Sequence, residues 1–278
     1  MMEPSGLTAS RPRSVARLHQ TFSKSLTAAD LVEPLASLDG NQQAGLAREL
    51  MKDDGRAVLG VRQRGLVTGW VDEEDLASAS GSLQEAARPF QEESAVDADA
   101  GLGTVLTAMS HAPRVFVRWL GEVGGVICHQ DLQKAPLRMW LFGTVTLLDL
   151  NMTWAIEELH PAEAWGDKIS AGRLGKAQAL QTERRRCGGD CRLVDCLQIK
   201  DKADILLHEP QLIEDLGFVS RREADRFARA IESLRNHLAH SQELEQEHVG
   251  TAARLATFMD SIIHARGVRR MVGRQGAG

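Results

Sequence analysis

The hydrophobic positions of this chain of 278 residues follow two rhythms. Up to about Leu137 they come in short runs bounded by glycine, such as "AVLGV" from Ala57 and "RVFVRW" from Arg114. Runs of that length and branched content predict strands. Beyond Leu137 the apolar residues recur every three or four positions over long stretches, which is the period of a helix packed on one face. The pattern predicts an α+β molecule, with strands and helices first and helices alone afterwards.

The first half contains a duplication. Shifted by 56 positions without a gap, residues 44–76 match residues 100–132 at eleven of 33 positions: Ala44, Gly45, Leu46, Leu50, Val61, Arg62, Gly65, Val67, Gly69, Asp75 and Leu76 recur. Each copy reads as a helix, a short strand, a glycine turn, a second strand ("LVTGWV" or "VGGVI") and a closing Asp-Leu where another helix can begin.

In the second half, "MWLFGTVTLLDLNMTWAIEELHP" predicts a largely buried helix that stops at Pro161. A polar helix follows over about 171–186 and ends at Cys187-Gly188-Gly189. A third, "DCRLVDCLQIKDKADILLHE", ends before Pro210, and "QLIEDLGF" makes a short turn of helix. Ser220 with Glu223 forms a capping box for a helix whose stripe is Ala224, Phe227, Ile231, Leu234 and Leu238. A last helix spans about 247–265. Short loops between these segments predict an all-α antiparallel bundle.

Composition narrows the classes. The net charge is -5, and the two halves carry 13 basic against 18 acidic residues and 20 against 20, so bulk charge does not hold the chain on nucleic acid. The apolar run from Met139 meets Asp149 before the roughly 20 residues a membrane span needs. Four cysteines, three of them (Cys187, Cys191, Cys196) within ten residues, do not resemble a secreted framework, and a cytoplasmic setting is expected. Their spacing is not that of a zinc finger. Cys191 and Cys196 read as buried cysteines in the first turns of the third helix, and no metal site is expected. Residues 1–21 and 267–278 are expected to be a disordered leader and tail.

The endings "GWVDEEDL" and "GGVICHQDL", with the repeat that carries them, resemble tandem CBS domains of the βαββα type over about 22–137, divided into about 22–80 and 81–137. The resemblance implies a regulatory cleft for an adenosine-containing nucleotide, with Asp75 and Asp131 at ribose hydroxyls. The family usually carries Ser or Thr three residues earlier, where Asp72 and Cys128 stand here. A carboxylate at Asp72 opposes phosphate, so the ligand is expected at the second copy, where Cys128 is uncharged at neutral pH. From the residues alone, both aspartates also fit a plain helix-capping role.

In the penultimate helix, "RNHLAH" carries Arg235, Asn236 and His240. With Ile231 as the zero of a helical wheel, Arg235 lies at the edge of the apolar stripe, whereas Asn236 and His240 fall at about 140° and 180°, outside it. The hexapeptide and the helices around it resemble HEPN domains, over about 138–266. That resemblance implies metal-independent ribonuclease chemistry, with His240 activating the ribose 2′-hydroxyl, Arg235 on the phosphorane charge and Asn236 orienting His240. It also implies a homodimer that brings two motifs together, and no catalytic cofactor. A branch of the family regulated through a tyrosine two residues after the histidine is excluded, since Gln242 stands there and the chain has no tyrosine. Ion pairing of Arg235 with Glu232 or Asp225, and an exposed helix end for His240, are the structural alternatives. The expectation is a nucleotide-regulated ribonuclease or RNA-binding effector; the alternative is a non-enzymatic regulatory or dimerisation module with the bundle as scaffold.

Overall fold

A computed structural model describes residues 11–240 and 242–275, and the chain divides into two compact units: Thr21–Trp140, and Leu141–Gly278 together with Met1–Gln20. The division between these compact units falls at 140/141, three residues beyond the expected 137/138. The segment expected as a disordered leader contains a helix, α1 (Arg11–Ser25), anchored on the helical unit by buried His19, whose Nε2 lies 3.6 Å from Asp260. No helix among the described residues is long and apolar enough to cross a membrane.

The Thr21–Trp140 unit begins with β1 (Glu33–Pro34), β2 (Ser37–Asp39), α2 (Ala44–Asp53), β3 (Val58–Gln63), β4 (Leu66–Asp72) and α3 (Glu73–Ala77). It continues through α4 (Leu83–Ala86), β5 (Arg88–Pro89), β6 (Ala95–Asp97), α5 (Leu102–Met109), β7 (Arg114–Trp119), β8 (Glu122–Cys128) and a 3-10 turn (His129–Gln133). Two mixed sheets form, in the orders β1-β8-β7-β6 and β2-β3-β4-β5. Each copy is therefore completed by a two-residue strand that precedes the other copy in sequence. Each copy is thus βαββα, the organisation implied by the resemblance; the repeat alone read as helix, strand, turn, strand and helix, without the leading strands β2 and β6.

The copies agree closely in the hairpins. Val58 pairs with Asp72 and Arg114 with Cys128, and both ladders slip at one bulge, after Val61 and after Val117. Both turns place two residues at positive φ, Arg64-Gly65 and Leu120-Gly121, the twist of a type I′ hairpin. The helices obey a different offset. The buried residues of α2 are Ala44, Ala47 and Met51, and those of α5 include Leu102, Val105 and Met109, each 58 positions on. At an offset of 56, Leu46 and Leu50, both exposed, would be matched to Leu102 and Leu106, both buried. The first copy thus has two extra residues between Met51 and Val58. Identities at Ala44, Gly45, Leu46 and Leu50 are not spatial equivalences, whereas the seven in the hairpins and closing motifs are.

The helical unit contains α6 (Ala135–Leu159), whose first residues belong to the preceding unit, α7 (Ala171–Arg186), α8 (Ile199–Leu206), α9 (Pro210–Asp215), α10 (Arg221–Ala239) and α11 (Gln246–Gln275). α11 runs well past the expected 265. The third expected helix is not continuous: residues 193–196 form a 3-10 turn, and α8 starts only at Ile199. Two capping boxes cause the interruption, Asp195 accepting from the Arg192 amide and Asp201 from that of Gln198. In α10 the expected stripe is buried at all five positions. Ser220 Oγ accepts from the Glu223 amide at 3.2 Å, while the glutamate reaches back to Val219 N–H at 3.0 Å instead of to Ser220.

Candidate functional site

The two closing motifs of the repeat are capping devices first. Asp72 is the N-cap of α3 and accepts from the amides of Glu74 and Asp75 at 3.1 and 3.2 Å, while Asp75 Oδ2 accepts from the Asp72 amide at 2.9 Å. Asp75 therefore sits at the third helical position; it does not begin the helix. In the second copy Asp131 Oδ2 accepts from Cys128 N–H at 2.7 Å, again from the third position.

What each aspartate does with its remaining capacity depends on the exchanged strands. Arg88 of β5 lies opposite Trp70 of β4, and Glu33 of β1 lies opposite Val126 of β8, so Arg88 and Glu33 are counterparts. Arg88 binds Asp75 directly, with Nε at 2.9 Å and Nη2 at 2.6 Å, and also pairs with Asp72. Glu33 has the opposite charge and reaches Asp131 through a cation: Lys134 Nζ bonds Glu33 at 2.5 Å, the Leu31 carbonyl at 2.5 Å and Asp131 at 3.0 Å. Both carboxylates are satisfied from within the chain, and Asp131 is buried as well.

The first motif carries more chemistry. Arg114, from the second copy, lies 3.3 Å from Asp72, and the guanidiniums of Arg88 and Arg114 sit 4.1 and 4.8 Å from the Trp70 ring centroid. Trp70 and Phe90 flank buried Phe116, with centroids 5.3 and 4.7 Å from it. Burial pushes the Asp72 carboxyl up, but the Asp75 amide and the two arginines outweigh it and hold the group below the usual range. Arg88 and Arg114 thus already neutralise the charge that Asp72 would set against phosphate. At the second motif burial, and then the charge of Asp131, push the Cys128 thiol up, which keeps it uncharged at neutral pH.

A groove of about 400 Å³ opens on the first copy, lined by Arg48, Lys52, Arg56, Glu73, Met51 and Leu76 among others. It forms where the two extra residues fall. Nε of Arg48 there is buried without a partner.

In the helical unit Arg235, Asn236 and His240 are all exposed on the last turn of α10, where His240 is the C-cap. Arg235 Nη1 donates to Asn236 Oδ1 at 3.2 Å. The ion pairs weighed for Arg235 do not form: Asp225 is taken by Lys200 and Arg229. Among the described residues, no hydrogen bond or ion pair engages the His240 side chain.

The pattern gave no signal for His237. Its ring packs on that of His248 with centroids 4.1 Å apart, joining the end of α10 to the start of α11. His248 is buried, and its Nδ1 accepts from the Glu245 amide at 3.1 Å, a capping box with histidine in the usual glutamate position. Glu245, Glu247 and His248 bring donor atoms within 4.8 Å of one another. The cap, however, fixes the proton of the neutral ring on Nε2, which leaves no lone pair there for a metal. Also unforeseen is Lys202, buried in α8, with Nζ 2.8 Å from both oxygens of Asp149 on α6.

No protein-family model and no curated protein matches the chain. Among solved structures it is similar to an uncharacterized conserved protein from Pyrococcus horikoshii, at 16% identity over 39% of this chain and 90% of that one, with a TM-score of 0.36. It is similar to a putative acetoin utilization protein from Vibrio cholerae, at 17% identity over 38% and 87%, with a TM-score of 0.35. CBSX2, solved in complex with AMP, is similar at 16% identity over 41% and 98%, with a TM-score of 0.36.

Proposed function

We propose that Thr21–Trp140 is a tandem CBS pair that senses an adenine nucleotide, with the helical unit as its output. The observation that carries this reading is the first closing motif, where two arginines, one from each copy's side of the sheet pair, meet a carboxylate pair over an indole face. Those are the groups a nucleotide needs: guanidiniums for phosphate, a carboxylate for ribose hydroxyls and an aromatic face for the base. Ligand entry exchanges the internal Arg88–Asp75 bond for contacts to the nucleotide. The two arginines and the indole support placing the ligand at the first motif, with Asp72 and Asp75, ahead of the second, with Cys128 and Asp131.

A thermal-shift panel of AMP, ADP, ATP, adenosine and GMP tests it. Ligand at a hundredfold excess over its dissociation constant stabilises the folded state by about 2.7 kcal/mol, which reads as an upward shift of several degrees. The Arg88→Ala and Arg114→Ala variants are expected to lose the shift by AMP while retaining any shift by adenosine. No shift with any adenine compound sinks the reading.

A second reading concerns RNA. Arg235, Asn236 and His240 share one exposed helix end, so a polynucleotide has access to all three, and a homodimer that apposes two such ends would present both motifs to one RNA. Incubation with labelled RNA in chelator is expected to leave 2′,3′-cyclic ends, lost in both Arg235→Ala and His240→Ala. Retained binding without cleavage makes the bundle a scaffold instead, and light scattering reads the dimer directly.

A further inference from the structure

The three crowded cysteines lie around the interrupted third helix. Because that helix breaks, Cys196 closes a 3-10 turn (Leu193–Cys196), Cys191 lies two residues before it, and their sulfur atoms lie 3.7 Å apart, in van der Waals contact. Cys196 belongs to the core, packed with Leu193, Val194, Ile156 and Trp165, whereas Cys191 is half-buried at its edge and Cys187 is exposed. The turn is clamped to α7: Gln181 Nε2 donates to the Cys191 carbonyl at 3.0 Å, and Arg184 Nη1 donates to the Asp195 carbonyl at 3.2 Å and lies 4.0 Å from Cys196 Sγ.

We infer that Cys191 and Cys196 are a reversible oxidation site, closing to an intramolecular disulfide with a hydroperoxide as oxidant. A disulfide needs its sulfurs at about 2.0 Å, so the pair must close by somewhat under 2 Å, and rotation of the edge residue Cys191 toward the fixed Cys196 provides the approach. Cys191, half-buried at the edge, is the sulfur of the pair that a peroxide reaches and so the attacking group; Cys196 is buried, and burial, then the neighbouring Cys191 sulfur, hold its thiol up, which makes it the resolving one. Sγ of Cys191, as thiolate, attacks one peroxide oxygen; the O–O bond breaks and the departing oxygen leaves as water after protonation. The product is a sulfenic acid, its sulfur oxidised by two electrons. Cys196 gives up its proton and attacks that sulfur; the S–O bond breaks, the S–S bond forms and a second water leaves. Two thiols and one hydrogen peroxide become one disulfide and two waters, and a dithiol reductant reverses the change.

The test uses the reduced full-length chain, treated with hydrogen peroxide, unfolded in the presence of an alkylating agent and digested with trypsin. Cleavage after Arg186, Arg192 and Lys200 separates Cys191 from Cys196, so their bond links "CGGDCR" to "LVDCLQIK" and removes two hydrogens. The link is expected in the parent chain and in Cys187→Ser, to be absent in Cys191→Ser, and to disappear with dithiothreitol. A link that survives in Cys191→Ser but not in Cys187→Ser assigns the chemistry to Cys187 and overturns the proposal. So does peroxide treatment that oxidises Cys187 while Cys191 and Cys196 both remain fully alkylated.

Discussion

At the scale of single residues, the glycines of the repeat show how a legible identity can hide its cause. Gly69 and Gly125 recur at the same offset, which marks them as significant in the sequence, but nothing in the chain says why a side chain is forbidden. A Cβ on Gly69 would stand 2.7 Å from the Arg88 carbonyl, and one on Gly125 would stand 2.3 Å from Val32 Cγ2 and 3.1 Å from the Glu33 carbonyl. In each copy the exchanged two-residue strand runs across the glycine. Gly69→Ala is expected to be the harsher change, since it meets backbone, and to cost about 1–3 kcal/mol in urea denaturation by overpacking. Because it also displaces Arg88, it should reduce any AMP shift beyond what the stability loss explains. Asp75 and Asp131 carry the same lesson. Their capping role was readable from the sequence, but their engagement by Arg88 and Lys134 depends on strands that pair only in the fold.

At the scale of elements, α10 was readable in nearly every detail because its helix is amphipathic and its cap lies within four residues of its stripe. Phe227 packs among Phe218 and Phe258, with ring centroids 5.8 and 5.3 Å away, and Arg254 lies over its face at 4.6 Å. Phe227→Ala is expected to cost about 3–5 kcal/mol, and Ser220→Ala about 1 kcal/mol through loss of the cap, both measurable as lowered denaturant midpoints. The segment from Asp190 to Glu209 was misread as one helix. Its apolar residues have helical spacing throughout, and the period alone does not reveal that Asp195 and Asp201 each bond backwards to an amide and restart the chain. The offset of the repeat is similar: identity counting favours 56 everywhere, while burial assigns 58 to α2 and α5.

At the scale of the whole molecule, the buried histidines set the response to acid. Burial lowers His19, with Asp260 opposing it; burial and then the charge of His237 lower His248, with Glu247 and Glu245 opposing. A histidine whose folded pKa is depressed contributes stability above the ordinary value of about 6.5, and this is lost as pH falls from there toward the folded value. Stability is therefore expected to decline first just below about pH 6.5. A second decline follows as pH drops below about 4 toward the depressed values of Asp72, Asp195, Glu223 and Asp225. His248→Gln, which keeps an acceptor for the Glu245 amide, should flatten the first stage in a series of denaturation midpoints against pH. An unchanged profile removes His248 from the account.

The helix, strand, turn and strand within each copy, the duplication, the hairpin turns and the buried face of α10 followed from the sequence by itself, because each depends on residues within a few positions of one another or on direct repetition. The tertiary structure alone decided which charges meet. Arg88 on Asp75, Glu33 through Lys134 on Asp131, Lys202 on Asp149, His237 on His248 and Cys191 against Cys196 all depend on strand exchange, helix packing or a helix that breaks. Such contacts join residues through space, and a one-dimensional pattern has no means to choose a partner among the chain's many charged side chains.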